Sequence, residues 1–112
     1  MKVIIAGSRE ITSYSIVEKA VRDSGFDITE VVSGTARGVD RLGEEYAKTA
    51  GIPIKKFPAD WSIGKSAGYK RNKQMGKYAD AAIIVRKDMS RGSSHMHDIM
   101  LDLGKLVYLV DL

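Results

Sequence analysis

Short apolar runs alternate with segments of helical period along the whole sequence, and that alternation leaves few folds open to it. Val3-Ile4-Ile5-Ala6 is continuously apolar, and Ile16, Val17, Ala20 and Val21 then recur on one helix face, with Thr12 or Ser13 placed to cap. Val31-Val32 runs into Ser33-Gly34, after which Val39, Leu42, Tyr46, Ala47 and Ala50 mark a second helix face, stopped by Gly51-Ile52-Pro53. Residues 54–57 read as a short, partly polar strand suited to a sheet edge, 58–66 as one long loop and 67–78 as a third helix. Ala81-Ala82-Ile83-Ile84-Val85 is a fully apolar strand followed by a loop over 86–92. Met96, Ile99, Met100 and Leu103 give a last helix face, closed by Gly104 ahead of Leu106-Val107-Tyr108-Leu109-Val110. A helix between successive strands requires right-handed crossovers and a parallel sheet covered on both faces. The expectation is a single α/β domain over residues 1–112: a doubly wound, Rossmann-like three-layer sandwich with a five-stranded parallel sheet in the order 3-2-1-4-5.

In that order, strands 1 and 4 are neighbours whose chains leave toward opposite faces, and ligands bind in the crevice beyond their carboxyl ends. Three loops there combine glycine with arginine: Gly7-Ser8-Arg9, Gly34-Thr35-Ala36-Arg37-Gly38 and Ser90-Arg91-Gly92-Ser93. Glycine permits tight turns and close backbone approach to a ligand, and arginine presents a planar fork of donors matched to phosphate or carboxylate. Gly92-Ser93-Ser94 opens the last helix, where unpaired N–H groups favour an anion and the hydroxyls add donors; the plainer reading is that Ser93 caps the helix and Gly92 makes the turn. Arg37 can reach the crevice. Asp40 stands in the first turn of the second helix, either to complement the helix dipole or to bind a ribose or base, and Arg9 serves either a ligand or a surface ion pair.

Charge narrows the choice of partner. The total is +4, but residues 65–77 alone carry Lys65, Lys70, Arg71, Lys73 and Lys77 without an acid, a sum of +5 that leaves −1 on the rest. One basic segment on a near-neutral body suits an anionic small ligand as well as a polynucleotide, and a lysine-rich helix face is also an ordinary solvated one. With 44% hydrophobic and 29% charged residues, no apolar run long enough to span a membrane and no signal-peptide core, the chain is expected to be soluble and, by default, cytoplasmic. Cysteine is absent, so disulfides, thiolate ligands and a thiol nucleophile are excluded.

Other chemistries fit poorly. Residues 59–66 match only the loosest P-loop, with Ala59 in place of its first glycine and bulky Asp60 and Trp61 where the backbone must approach a phosphate. No G-x-G-x-x-G follows strand 1, and strand 2 ends in Ser33-Gly34 rather than an acid, which argues against an ordinary NAD dehydrogenase. His95 and His97 are two residues apart on a helix and point away from each other, so no metal site is expected. G-x-S-x-G does not occur.

The strings VVSGTARGVDRLGEEYAKTAGIPIKKFPADW, AGYKRNKQMGKYADAAIIV and SRGSSHM resemble the small YspA-type branch of the SLOG superfamily, the Rossmann-like group that includes the LOG phosphoribohydrolases and DprA. The resemblance covers nearly the whole chain. It implies a site for a nucleotide or nucleotide derivative, with no further cofactor, at Gly7, Ser8, Arg9, Gly34, Arg37, Gly38, Asp40, Arg91, Gly92 and Ser93. The A-D-W and R-N-x-x-M strings add Asp60, Trp61, Arg71 and Asn72. In that site Trp61 stacks on a base, unless it is core, and Asn72 reads a base edge or holds a ribose. LOG-type enzymes carry a catalytic glutamate in the fourth loop where this chain has Met96, which can neither accept a proton nor bear charge. Asp60, Asp88 and Asp98 are the candidate replacements, and spacing selects none of them. Thr35 also stands where a glycine is common. The leading expectation is a nucleotide-binding or sensor domain; the alternatives are an enzyme hydrolysing an N-glycosidic bond and a DprA-like single-stranded nucleic-acid binder on residues 65–77 with Trp61 and Tyr69. A homodimer is an open option, with Met96, Met100 and Tyr46 serving core or interface.

Overall fold

The structure is a computed structural model that describes residues 1–88 and 90–112; Met89, inside the expected fourth loop, lies outside them. The strands are β1 (Lys2–Gly7), β2 (Glu30–Ser33), β3 (Ile54–Lys56), β4 (Ala81–Arg86) and β5 (Leu106–Asp111), and the helices are α1 (Tyr14–Ser24), α2 (Val39–Ala50), α3 (Ala67–Tyr78) and α4 (Arg91–Asp102). All strand pairs are parallel, in the order β3-β2-β1-β4-β5. The fold is therefore the α/β sandwich expected from the alternation.

The two-residue period of the strands divides the core into two layers. Val3, Ile5, Val31, Ala81, Ile83 and Val85 pack with Val17, Val21, Val39 and Ala47 of α1 and α2. Ile4, Ala6, Val32, Ala82 and Ile84 face the other way, onto Met75 of α3 and Met96 and Met100 of α4. Central strands buried on both faces need such unbroken apolar runs. Met96 and Met100 are thus core side chains, and Tyr46 packs, partly buried, against the layer on the other sheet face. Beyond Ala47 the α2 face ends, since Ala50 is exposed.

Local details depart from the expected pattern where packing decides. Ser13 occupies the α1 cap position but bonds Ser15 Oγ rather than the helix backbone. The 58–66 loop contains a 3-10 turn, Trp61–Ile63, because Asp60 Oδ1 accepts from the Ser62 N–H and hydroxyl. Lys105 Nζ donates to the Gly76, Lys77 and Ala79 carbonyls and thereby closes the C-terminus of α3. Arg86 is buried and forks onto both carboxylate oxygens of Asp111, tying β5 to β4. No helix among the described residues is long and apolar enough to cross a membrane.

Candidate functional site

The ends of β1 and β4 are held together before they part. Gly7 pairs with Val85, and a Cβ on Gly7 would collide with the Val85 carbonyl. Ser8 Oγ accepts from Lys87 N at 2.8 Å and donates to Ser90 Oγ at 3.1 Å. Ser90 is the N-cap residue of α4, in place of the expected Ser93, and its hydroxyl bonds Ser93 Oγ at 2.7 Å. On the other side, Gly38 has φ 78 and lies so close to the Ser8–Arg9 backbone that no side chain fits. Val39 N donates to Ser8 O there. Glycine at positions 7 and 38 therefore serves chain-to-chain contact. At Gly34 an added Cβ would stand 2.8 Å from Asp40 Oδ2 and 2.9 Å from Arg71 Nη1, whereas at Gly92 it would meet open space.

Between these loops lies a two-lobed cleft. The inner lobe, about 420 Å³, is lined by residues of all three glycine-arginine loops, including Gly7, Ser8, Arg9, Ala36, Gly92 and Ser93, by Asp40 of α2 and by Arg71, Asn72 and Met75 of α3. Its floor includes Met96, at the position where a LOG-type enzyme carries its glutamate. The outer lobe, about 480 Å³, is lined by Arg9, Gly34, Thr35, Ala36, Arg37, Pro58, Ala59, Trp61 and Arg71. Arg9, Ala36 and Arg71 belong to both.

Arg71 is the best-fixed cation of the site. From the inner face of α3 its Nη1 donates to Gly34 O and its Nε to Asn72 Oδ1 at 3.0 Å. Asn72 Nδ2 in turn reaches Gly92 O and, at 3.3 Å, His95 Nδ1. Arg71 requires the amide oxygen and the Gly92 carbonyl requires the amide nitrogen, so His95 Nδ1 is the acceptor and its proton sits on Nε2. Burial, with Arg9 adding to it, holds the Arg71 guanidinium below its ordinary value, while Asp40 pulls the other way.

Asp40 is buried beside Arg71, with Oδ2 accepting from Ala36 N at 3.1 Å. Desolvation raises its pKa from 3.8 to about 6, against the pull of the Ala36 bond, Arg71 and Arg9. One turn further, buried Glu44 accepts from Ser33 Oγ at 2.6 Å, and Ser33 Oγ accepts from Thr35 N at 3.1 Å. This wiring holds Thr35 at φ 64, a left-handed conformation that a β-branched residue rarely adopts. Asp88, which lines the inner lobe, has φ 57.

The remaining expected residues lie at the rim or outside. Trp61 is 55% exposed, so it is not core; its ring edge lies over Gly68 at the mouth of the outer lobe. Arg37 lines that lobe but is exposed and donates to Glu10 at 3.3 Å. Arg91 is exposed and lines neither lobe, Asp60 is engaged in its turn, and Ser94 Oγ accepts from Arg86 Nη1 at 3.1 Å. Asp98 is exposed on α4. Sequence reasoning missed Lys87, Glu10 and Met75 as lining residues, and His95 behind Asn72, while Ser90 lines the lobe as part of the expected fourth loop. Met75 was legible in one respect: with Arg71 and Asn72 it falls at i, i+1 and i+4 on a single helix face.

A family model described as YAcAr, the YspA, cpYpsA-related SLOG family, matches residues 1–64, more than half of the chain. The chain belongs to this SLOG family. Membership suggests a nucleotide-related small-molecule ligand in general terms. The match takes in β1 to the Trp61 turn, so the first two glycine-arginine loops of this SLOG domain lie inside it and Arg71, Asn72 and the α4 loop lie beyond it. Comparison with curated proteins and with solved structures gives no match.

Proposed function

We propose that this SLOG domain binds a nucleotide or nucleotide derivative in the two-lobed cleft, with phosphate recognised by the glycine-arginine loops at the carboxyl ends of the strands. The observation that carries the reading is that Arg9 and Arg71 line both lobes, so a single ligand can lie across the junction and touch each. The inner lobe supplies carboxylates for hydroxyl or ring N–H donors together with the thioethers of Met75 and Met96, which suits a nucleoside. Trp61 offers an aromatic face at the opposite end. Ligand binding of this kind needs no catalytic group, which accords with a methionine at position 96.

The test is a thermal-shift screen of the intact chain against adenine and guanine nucleotides, NAD, ADP-ribose and cyclic dinucleotides. At least one should raise the melting temperature in a concentration-dependent way; a saturating ligand at about 100 times its Kd stabilises by about 2.7 kcal/mol. No shift from any of them would remove the reading.

One observation favours a second reading. Asp40 is a cleft carboxyl whose pKa of about 6 is that of a usable general acid or base, so hydrolysis of an N-glycosidic bond is supported by this residue rather than by Asp60 or Asp98. Release of free base from a bound nucleotide, abolished in Asp40→Asn with binding retained, would establish it. Intact nucleotide after prolonged incubation would exclude it.

A further inference from the structure

The two lobes differ in charge in a way that neither the loops nor the fold anticipates. The inner lobe balances Arg9, Arg71 and Lys87 against Glu10, Asp40 and Asp88. The outer lobe is lined by Arg9, Arg37 and Arg71 and by no carboxylate. At the start of α4, where the sequence places the phosphate, the Ser90 and Ser93 hydroxyls are bonded to each other and Ser94 to Arg86. In the outer lobe the hydrogen bonds of Arg71 go to neutral acceptors, Gly34 O and Asn72 Oδ1, which orient its charge, while the buried Asp40 on the inner side offsets part of it. Arg9 faces Arg71 as a like charge, and Arg37 pairs with the exposed Glu10, an ion pair that binding can exchange. The half-buried Arg71 guanidinium and the exposed Arg9, kept together in this way, favour an anion that forks onto both.

We propose that the outer lobe is a diphosphate site. Arg9, Arg71 and Arg37 grip two linked phosphates beneath Trp61 while the nucleoside occupies the inner lobe, so the ligand class is a nucleoside diphosphate or a pyrophosphate-linked nucleotide. The assignment rests on the nucleotide reading for its inner-lobe half only, since the arginine lobe binds a diphosphate by itself. Once Glu10 is displaced from Arg37, three guanidinium forks line one lobe and can engage two linked phosphates at once, which sets the preference for two.

Inorganic pyrophosphate is the probe, titrated calorimetrically into the intact chain at low salt beside orthophosphate, adenosine, AMP and ADP. Pyrophosphate should bind more tightly than orthophosphate, and Arg71→Gln and Arg37→Gln should each weaken it about tenfold, the range for a lost charge-assisted hydrogen bond. Arg37 is exposed, so its variant keeps the test alive even if Arg71→Gln does not fold. Lys73→Gln, which removes one positive charge from the exposed part of α3 outside both lobes, should stay within about twofold of wild type. Equal weakening by Lys73→Gln and Arg37→Gln, no preference for pyrophosphate, or no binding at about 5 mM, a Kd too weak for a built site, would overturn the assignment. Adenosine binding without pyrophosphate binding refutes this site and leaves the nucleotide reading standing. Pyrophosphate binding with no gain from any nucleoside does the reverse.

Discussion

Replacing Asp40 by asparagine should stabilise the protein at neutral pH, and the gain should vanish in acid. Asp40 is buried at the N-terminus of α2, and desolvation, the largest influence on it, raises its pKa from 3.8 to about 6. The folded state therefore holds this proton more tightly than the unfolded chain does. The cost of keeping the ionised carboxylate folded is absent below about pH 4, grows as pH rises through about 6, and is complete above that. At about 1.4 kcal/mol per tenfold in proton affinity, the full penalty is about 3 kcal/mol. The attraction of Arg71 and Arg9 and the bond from Ala36 N are already included in that net value. In Asp40→Asn the amide oxygen still accepts from Ala36, while the new amide protons face a cationic neighbour, so the expected gain is about 1–3 kcal/mol at pH 7.5. Urea unfolding followed by circular dichroism at pH 7.5, 5 and 4 measures it, read as the difference between variant and wild type so that other carboxylates cancel. An Asp40→Asn protein that is less stable at pH 7.5, or a difference unchanged down to pH 4, would refute the reasoning.

Other substitutions probe the loops separately. Gly7→Ala forces a Cβ into the Val85 carbonyl and should cost more than about 3 kcal/mol or prevent folding, whereas Gly92→Ala meets open space in the first turn of α4 and should gain about 0.5–1 kcal/mol; chemical denaturation of the two side by side checks both. Thr35→Gly relieves a left-handed β-branched residue and should raise the free energy of unfolding by about 1 kcal/mol, against destabilisation if that backbone conformation is not held in solution. Lys105→Met strips the donor from three carbonyls at the end of α3 and should lower the melting temperature by several degrees, for a loss of about 1–3 kcal/mol.

The sheet order and the helices were legible because two-sided burial of β1 and β4 leaves unbroken apolar runs, and no other segment competes for those places. The crevice followed from that order alone. What the sequence obscured was the reason for its glycines. A glycine beside an arginine reads as a ligand-approach signal, yet at positions 7 and 38 the backbone of a neighbouring segment occupies the space, a contact made only once β1, β4 and α2 converge. Arg71 was legible only through the resemblance of its R-N-x-x-M string. It belongs to a lysine-rich helix that looks solvated, and only the packing of Asn72 and Met75 turns its face toward the cleft. Ser94 and Asp60 carried the right chemistry for a site, but each is engaged by a nearer partner, Arg86 and the Ser62 turn.

Trp61 is the single tryptophan of the chain and stands half-exposed at the mouth of the arginine-lined lobe, so its fluorescence reports directly on the cleft. Titration with ADP should quench or shift that emission saturably in the wild type, and Arg71→Gln should need about tenfold more ligand for the same change. Emission that stays flat up to millimolar ADP and the other nucleotides of the screen, or a response indifferent to Arg71, would contradict a nucleotide site in this cleft.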